Sequence, residues 1–238
     1  MLETAHLPKP ERNELWTSVL FSLRMAIITG QLEPGTHLVE AQLAEKLGVS
    51  RGPIRDALMR LEQENLVAHS QRRGRFVLGL SPDDIHEIYS LRRLLETYGV
   101  ELGLERLSGE YSDRMRELLD EMRTLAVESR FEELAPLDLE FHRSIVASAG
   151  NGRLVQMWNT QSSVSRGLIV VGATFAPDTM RLVIGTHEDI LDAFAAGDLA
   201  TAKEAVRGHL TSAEELVSRM LRESSPISKD TLGQGDLQ

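Results

Sequence analysis

The sequence predicts a mainly α protein, an N-terminal winged helix-turn-helix followed by an antiparallel all-helical bundle. Three observations carry this. Apolar residues recur at helical spacing along most of the chain, with glycine at most of the breaks. Two short extended runs flank a basic, glycine-containing tip between residues 66 and 79. Beyond Gly79-Leu80 no strand signal returns before about Arg222.

Residues 1–14 are polar, contain Pro8 and Pro10 and lack an apolar signal core, so they read as a flexible arm. Leu15 to Thr29 has helical apolar spacing and stops at Gly30. Leu32-Glu33-Pro34-Gly35 is a turn. A second helix is predicted over Val39–Leu47, ended by Gly48, and a third over Arg51–Glu64, with Ser50 as N-cap and Pro53 in the first turn. Leu66–His69 and Arg75–Gly79 form a hairpin around Ser70-Gln71-Arg72-Arg73-Gly74. Residues 15–79 are therefore assigned to the winged domain.

Ser81-Pro82-Asp83-Asp84 starts a helix: a serine cap, proline at the first position and acids in the first turn. Six helices are predicted from there, over Asp83–Leu107, Tyr111–Glu128, Phe131–Ala149, Arg153–Val171, Pro177–Ala196 and Leu199–Arg222. They make up a second domain over residues 80–223. The polar stretch 224–238 reads as a disordered tail.

The 238 residues contain no cysteine, which excludes a disulfide scaffold and any thiolate metal site. No stretch reaches the roughly 18 apolar residues of a membrane span, so a cytoplasmic protein is expected. A net charge of −10 argues at first against nucleic acid. The charge is uneven, however. Residues 1–80 hold 10 basic against 9 acidic residues, and the remainder 16 against 27. The acidity belongs to the second domain, and a DNA-reading module needs only a local basic face.

The turn Leu47-Gly48-Val49-Ser50 between two helices has the geometry of a helix-turn-helix. Glycine permits the sharp reversal, and Val49 plugs the angle. Arg51, Pro53 and Arg55 open the second helix, whose N-terminal residues would reach base edges in the major groove. Arginine reads guanine through two hydrogen bonds. Arg72, Arg73 and Arg75 at the hairpin tip would lie along the minor groove or backbone. A bland alternative is a winged helix used for protein contacts.

Gly35, Leu38, the string EAQLAEKLGVSRGPIRDALMRLEQENLV and RRGRFV together resemble the GntR family of bacterial regulators over about residues 15–79. The resemblance implies that Ser50, Arg51, Pro53 and Arg55 meet DNA, with Arg73 and Gly74 in the wing. Family members commonly carry arginine where this chain has Ala41, which removes one DNA contact, and glycine where it has Asn65.

In the second domain, Asp138 and His142 are four apart and share a helix face. His187 and His209 are equidistant from the Gly197-Asp198 break, so two antiparallel helices place them at one level. Three imidazoles and a carboxylate suit a divalent ion: zinc first, with nickel, manganese or iron(II) as alternatives. The strings around these residues resemble the sensing domain of the FadR branch of the same family. That resemblance implies a metal on all four positions and a small carboxylate effector bound at it.

Arg92 either points inward to pair with such a carboxylate or forms a surface pair with Glu96. Asn159, Ser163 and Arg166 share a face of the fourth of these helices and either line the cavity or form a solvated stripe. His6, His37, His69 and His86 read as surface or packing residues.

The function expected is a ligand-responsive repressor, not an enzyme. It would bind a pseudo-palindromic double-stranded operator as a homodimer. The competing reading is a metal-dependent hydrolase or oxygenase using the same four ligands.

Overall fold

The computed structural model describes residues 13–224; the N-terminal arm before residue 13 and the tail beyond 224 lie outside the described residues. The chain forms two compact units that divide between Gly79 and Leu80.

The first unit holds α1 (Asn13–Ile28), α2 (Glu40–Leu47), α3 (Arg51–Gln63), β1 (Val67–Ser70) and β2 (Gly74–Val77). Helix α1 packs on α3, burying Val19, Leu23 and Ile27 together with Ile54, Leu58 and Leu61. A buried pair ties their ends, with Arg24 donating from Nε and Nη2 to both Glu64 oxygens at 2.9 and 2.8 Å. Gly48 ends α2 in the left-handed region at φ 66°, which glycine enters without strain. Asn65 sits at φ 55° after α3, a region that asparagine enters more readily than most residues.

Ser50 occupies the N-cap position of α3 with extended backbone, but its side chain makes no capping bond. Strands β1 and β2 pair antiparallel in the register Val67↔Val77 to Ser70↔Gly74. A third extended segment lies against β2: Leu38 N–H donates to Arg75 C=O at 2.9 Å, and Val77 N–H to Thr36 C=O at 3.0 Å. The sequence shows only a turn here, because an arm of a few residues is too short to display an alternating pattern.

The second unit is built from α4 (Pro82–Leu107), α5 (Ser112–Val127), α6 (Phe131–Ala147), α7 (Gly152–Phe175), α8 (Pro177–Ala196) and α9 (Leu199–Ser224). Ser81 and Asp84 form a reciprocal capping box at the start of α4, satisfying two donors that a helix start leaves open. Helix α4 packs on α9 and α6, α6 on α5 and α7, and α8 on α9 and α5. The main departure from the predicted boundaries is α7, which runs one turn past Val171. Gly172 stays helical because its bare Cα faces Met180 of α8 and Leu216 and Val217 of α9, so packing overrides its tendency to break a helix.

Two glycines set the approach of α4 to α6. A Cβ at Gly99 would come within 2.8 Å of the Ile145 carbonyl, and one at Gly103 within 2.6 Å of the Ser148 carbonyl carbon. Gly103→Ala is therefore expected to cost about 1–3 kcal/mol by overpacking against backbone. Gly185→Ala is a control: it lies on α8 with nothing within 4 Å of the new methyl. It should add about 0.5–1 kcal/mol by helix propensity. Urea denaturation of both variants checks the pair, and equal shifts would refute the packing argument.

Candidate metal centre and DNA-reading face

Asp138 and His142 project from α6 into the bundle, one turn apart. His187 comes from the middle of α8 and His209 from α9. All four are buried, and one ligand atom from each lies within 4.8 Å of the others. His142 Nε2 faces His209 Nε2 at 3.1 Å. Asp138 Oδ1 stands 3.2 Å from His187 Nε2, and Asp138 Oδ2 stands 3.9 Å from His142 Nε2. The His187 and His209 rings are 4.2 Å apart between centroids, the same-level placement that the helical hairpin imposes.

The outward nitrogen of each ring is anchored, and this fixes its tautomer. His142 Nδ1 lies 2.6 Å from Glu96 Oε2. His187 Nδ1 lies 3.0 Å from the Ile184 carbonyl oxygen, which only accepts. His209 Nδ1 lies 2.8 Å from Thr186 Oγ1. The Thr186 hydroxyl spends its proton on the Val183 carbonyl at 2.7 Å, so toward His209 it accepts. In the neutral rings each Nδ1 therefore carries the hydrogen and each Nε2 presents a lone pair inward. Lone pairs facing each other at 3.1 Å repel unless a proton or a cation lies between them. His187 Nε2 makes no hydrogen bond despite its closeness to Asp138. The donor set fits a divalent ion held by three imidazoles and one carboxylate.

Charge around the cluster is organised by α4. Glu96 is fully buried and accepts from Arg92 Nε at 3.0 Å and from Trp158 Nε1 at 3.1 Å, besides its contact with His142. Burial raises the Glu96 carboxyl, but His142 and Arg92 outweigh it, and the net shift is downward. Asp138 behaves alike: burial raises it, but the nearby His187, His142 and Arg92 bring it down to about 2. The His209 ring is held well below its ordinary range, by burial first and then by His187, His142 and Arg92. Tyr89, under the Arg92 guanidinium at 5.5 Å, is pushed up to about 12, mainly by burial. Arg92 Nη2 is buried without a hydrogen-bond partner.

In the first unit, Ser50, Arg51, Arg55, Arg73 and Gly74 are exposed, whereas Pro53 is buried in the packing face of α3. The Pro53 ring therefore packs into the unit and seats the first turn of α3. Arg75 is not at the hairpin tip. It is clamped to Glu62 of α3 and, at 2.8 Å, to Glu40 of α2.

Residues 17–77 match the description "Bacterial regulatory proteins, gntR family", and residues 87–212 match the "FCD domain". The gluconate operon transcriptional repressor of Bacillus licheniformis is 33% identical over 179 residues, 72% of each chain. The chain belongs to the GntR family. It is a transcriptional regulator with a GntR-type DNA-binding unit and an FCD unit, and its relatives are regulators rather than enzymes. The solved structure of McbR/YncC from E. coli shares the fold with a TM-score of 0.67 at 22% identity, covering 89% of this chain and 99% of that one. A GntR-type protein from Rhodococcus gives 0.59 at 27% identity, over 85% and 96%. Among the described residues no helix is long and apolar enough to cross a membrane.

In this GntR-family chain the cluster brings together all four residues selected from sequence. Arg92 does pair with Glu96, but the pair is buried, 2% and 0% exposed, and not on the surface. On α7, Asn159 is exposed, and Ser163 and Arg166 are half-buried. Two residues that anchor the site, Trp158 and Thr186, have no assignment from sequence, and Glu96 is legible only as the partner of Arg92, not as the anchor of His142. Thr186 stands beside His187 in the chain and was visible only as a neighbour. Trp158 had no signal, because its indole N–H finds Glu96 across 62 positions.

Because folding lowers the pKa of His209, the unfolded chain binds a proton first as pH falls. The stability this group contributes is present above about 6.5 and is lost as pH drops through that value. Asp138 adds a second loss as pH falls from about 4 toward about 2. Chelator-treated protein should therefore lose unfolding free energy between pH 7 and 5, with a slope of up to ~1.4 kcal/mol per pH unit for one proton. His209→Gln should flatten that slope; identical slopes in urea titrations would refute the assignment.

Proposed function

We propose that the FCD unit binds one divalent ion through Asp138, His142, His187 and His209, and uses that site to sense a small carboxylate. The observation that carries this is the fixed tautomer of all three rings: each Nδ1 is occupied by a separate partner, so three Nε2 lone pairs meet one carboxylate in a buried space. Zinc fits the ligand set, as do nickel, manganese and iron(II). The bound ion would supply Lewis acidity and an open position for an anion.

Charge balance supports the effector class. With neutral rings, Asp138, Glu96 and Arg92 leave the buried site at −1. A dication takes it to +1, and one carboxylate returns it to zero. Buried charge is tolerated only when compensated. Arg92 Nη2, buried and without a partner, supports a carboxylate on that side. The relative named for a gluconate operon supports an acidic metabolite and a repressor. Ser163, Arg166 and Asn159 of α7 are proposed to shape the effector end of the cavity.

In the DNA-binding unit, Ser50, Arg51 and Arg55 are proposed to meet the major groove, and Arg73 and Gly74 the neighbouring backbone or minor groove. The protein would act in the cytoplasm as a homodimer on a pseudo-palindromic operator. The exposed stripe Leu94, Tyr98 and Leu102 on α4, one residue per turn, supports pairing of two copies.

Elemental analysis of purified full-length protein should find about one divalent ion per chain. His187→Ala and His209→Ala should each lose it while keeping the helical circular dichroism spectrum. Equal metal in wild type and variants would overturn the metal reading. A gel shift with the protein's own promoter region, titrated with gluconate or citrate, tests sensing. An unchanged complex across both acids would count against those effectors.

A further inference from the structure

The DNA-reading face contains an acid that neither the motif string nor the metal site explains. Glu40 is the first residue of α2, directly after Val39, whose side chain does not cap. Its carboxylate reaches two other elements. Oε2 accepts from Arg55 Nη2 of α3 at 3.2 Å, with Arg55 Nε 3.4 Å from both oxygens. Oε1 accepts from Arg75 Nη1 of β2 at 2.8 Å. Arg75 Nε in turn donates to Glu62 of α3. Two acids and two arginines thus close a neutral foursome across α2, α3 and the wing. The Arg55 side chain stays 59% exposed, while those of Arg75 and Glu40 are 20% and 24% exposed.

An acid beside a surface meant for phosphate is costly unless it does something. Simple Coulomb reasoning predicts that removing it would strengthen binding to any DNA. The geometry points elsewhere. The carboxylate holds the Arg55 guanidinium from behind and leaves its other edge open, and the same oxygens fix the strand that carries the wing. A long arginine side chain loses much rotamer freedom when it docks, and a fixed fork loses less.

We infer that Glu40 is a positioning residue for sequence reading: it aims Arg55 and sets the wing through Arg75, so that the GntR-type unit prefers its operator over other DNA. This rests on the reading of Arg55 as a DNA contact.

The test uses full-length protein and fluorescence anisotropy, with a duplex from its own promoter region and a scrambled duplex of equal length, over a range of salt. In Glu40→Gln the promoter-to-scrambled affinity ratio should fall by about tenfold, the scale of one bidentate arginine contact. Affinity for scrambled DNA should hold or rise, because two arginines are freed. In an Arg55→Ala background, Glu40→Gln should change the ratio by less than about twofold. Glu62→Gln, which loosens only Arg75, should have the smaller effect.

A ratio unchanged in Glu40→Gln, or both affinities rising together, would overturn the inference and make Glu40 a simple electrostatic brake. Both affinities falling together with a lowered melting temperature would overturn it in favour of a purely structural role. Failure of the underlying reading looks different: wild-type protein would then bind both duplexes alike, and both ideas fall.

Discussion

One buried carboxylate constrains the FCD unit. Glu96 has no solvent exposure, yet it stays ionised because three donors meet it: Arg92 from its own helix, His142 from α6 and Trp158 from α7. An isolated buried carboxylate would cost several kcal/mol or take up a proton. Each of its donors is therefore held where it is. Fixing His142 Nδ1 turns His142 Nε2 toward His209, and the Thr186 hydroxyl turns His209 the same way. The cluster's geometry is thus set by its outer partners as much as by its four inward atoms. The close α4–α6 approach across Gly99 and Gly103 serves the same end, since Glu96 and His142 must span the two helices at 2.6 Å.

The DNA-binding unit handles charge differently. Among its described residues the Arg24–Glu64 pair is buried, with side chains 5% and 2% exposed, and it ties α1 to the end of α3. The ion pairs of Glu40, Arg55, Arg75 and Glu62 stay at least partly wet, where a pair contributes little to stability. The network of Glu40, Arg55, Arg75 and Glu62 is accordingly better explained by orientation than by stability. In one unit charge is buried around the Asp138, His142, His187 and His209 cluster, and in the other most of it stays exposed.

Much of this was legible in the sequence. Helix breaks fell at glycines that do adopt positive φ, as at Gly30, Gly48, Gly150 and Gly197. The Asp138/His142 spacing and the His187/His209 symmetry about residue 198 are consequences of helix geometry alone, and so they survive the step to three dimensions. The partners reaching across long sequence separations do not. Glu96 meets His142 over 46 positions and Trp158 over 62, and no local period encodes that. The burial of Pro53 is another case: its place in the first helical turn is readable, but which side of α3 faces the core depends on α1.

Arg92 and Glu96 show most clearly why a pattern can be read without fixing its place, since the sequence leaves both an inward and a surface position open. An i,i+4 arginine–glutamate pair looks the same on a surface and in a core. The usual tiebreak is amphipathicity: charge belongs on the wet face. Helix α4 buries Ile85, Leu95 and Val100 as that rule expects, but departs from it at two places. Arg92 and Glu96 are buried, while Leu94, Tyr98 and Leu102 are 64%, 44% and 47% exposed. Burying charge and exposing leucine on one helix is unfavourable on both counts for an isolated folded chain. Both costs would fall if each face gained a partner, and the proposed function would supply them: an ion and its counter-charge inside, and a second copy outside. In the function proposed above, α4 is thus the helix on which the sensing site and the pairing of copies would both converge.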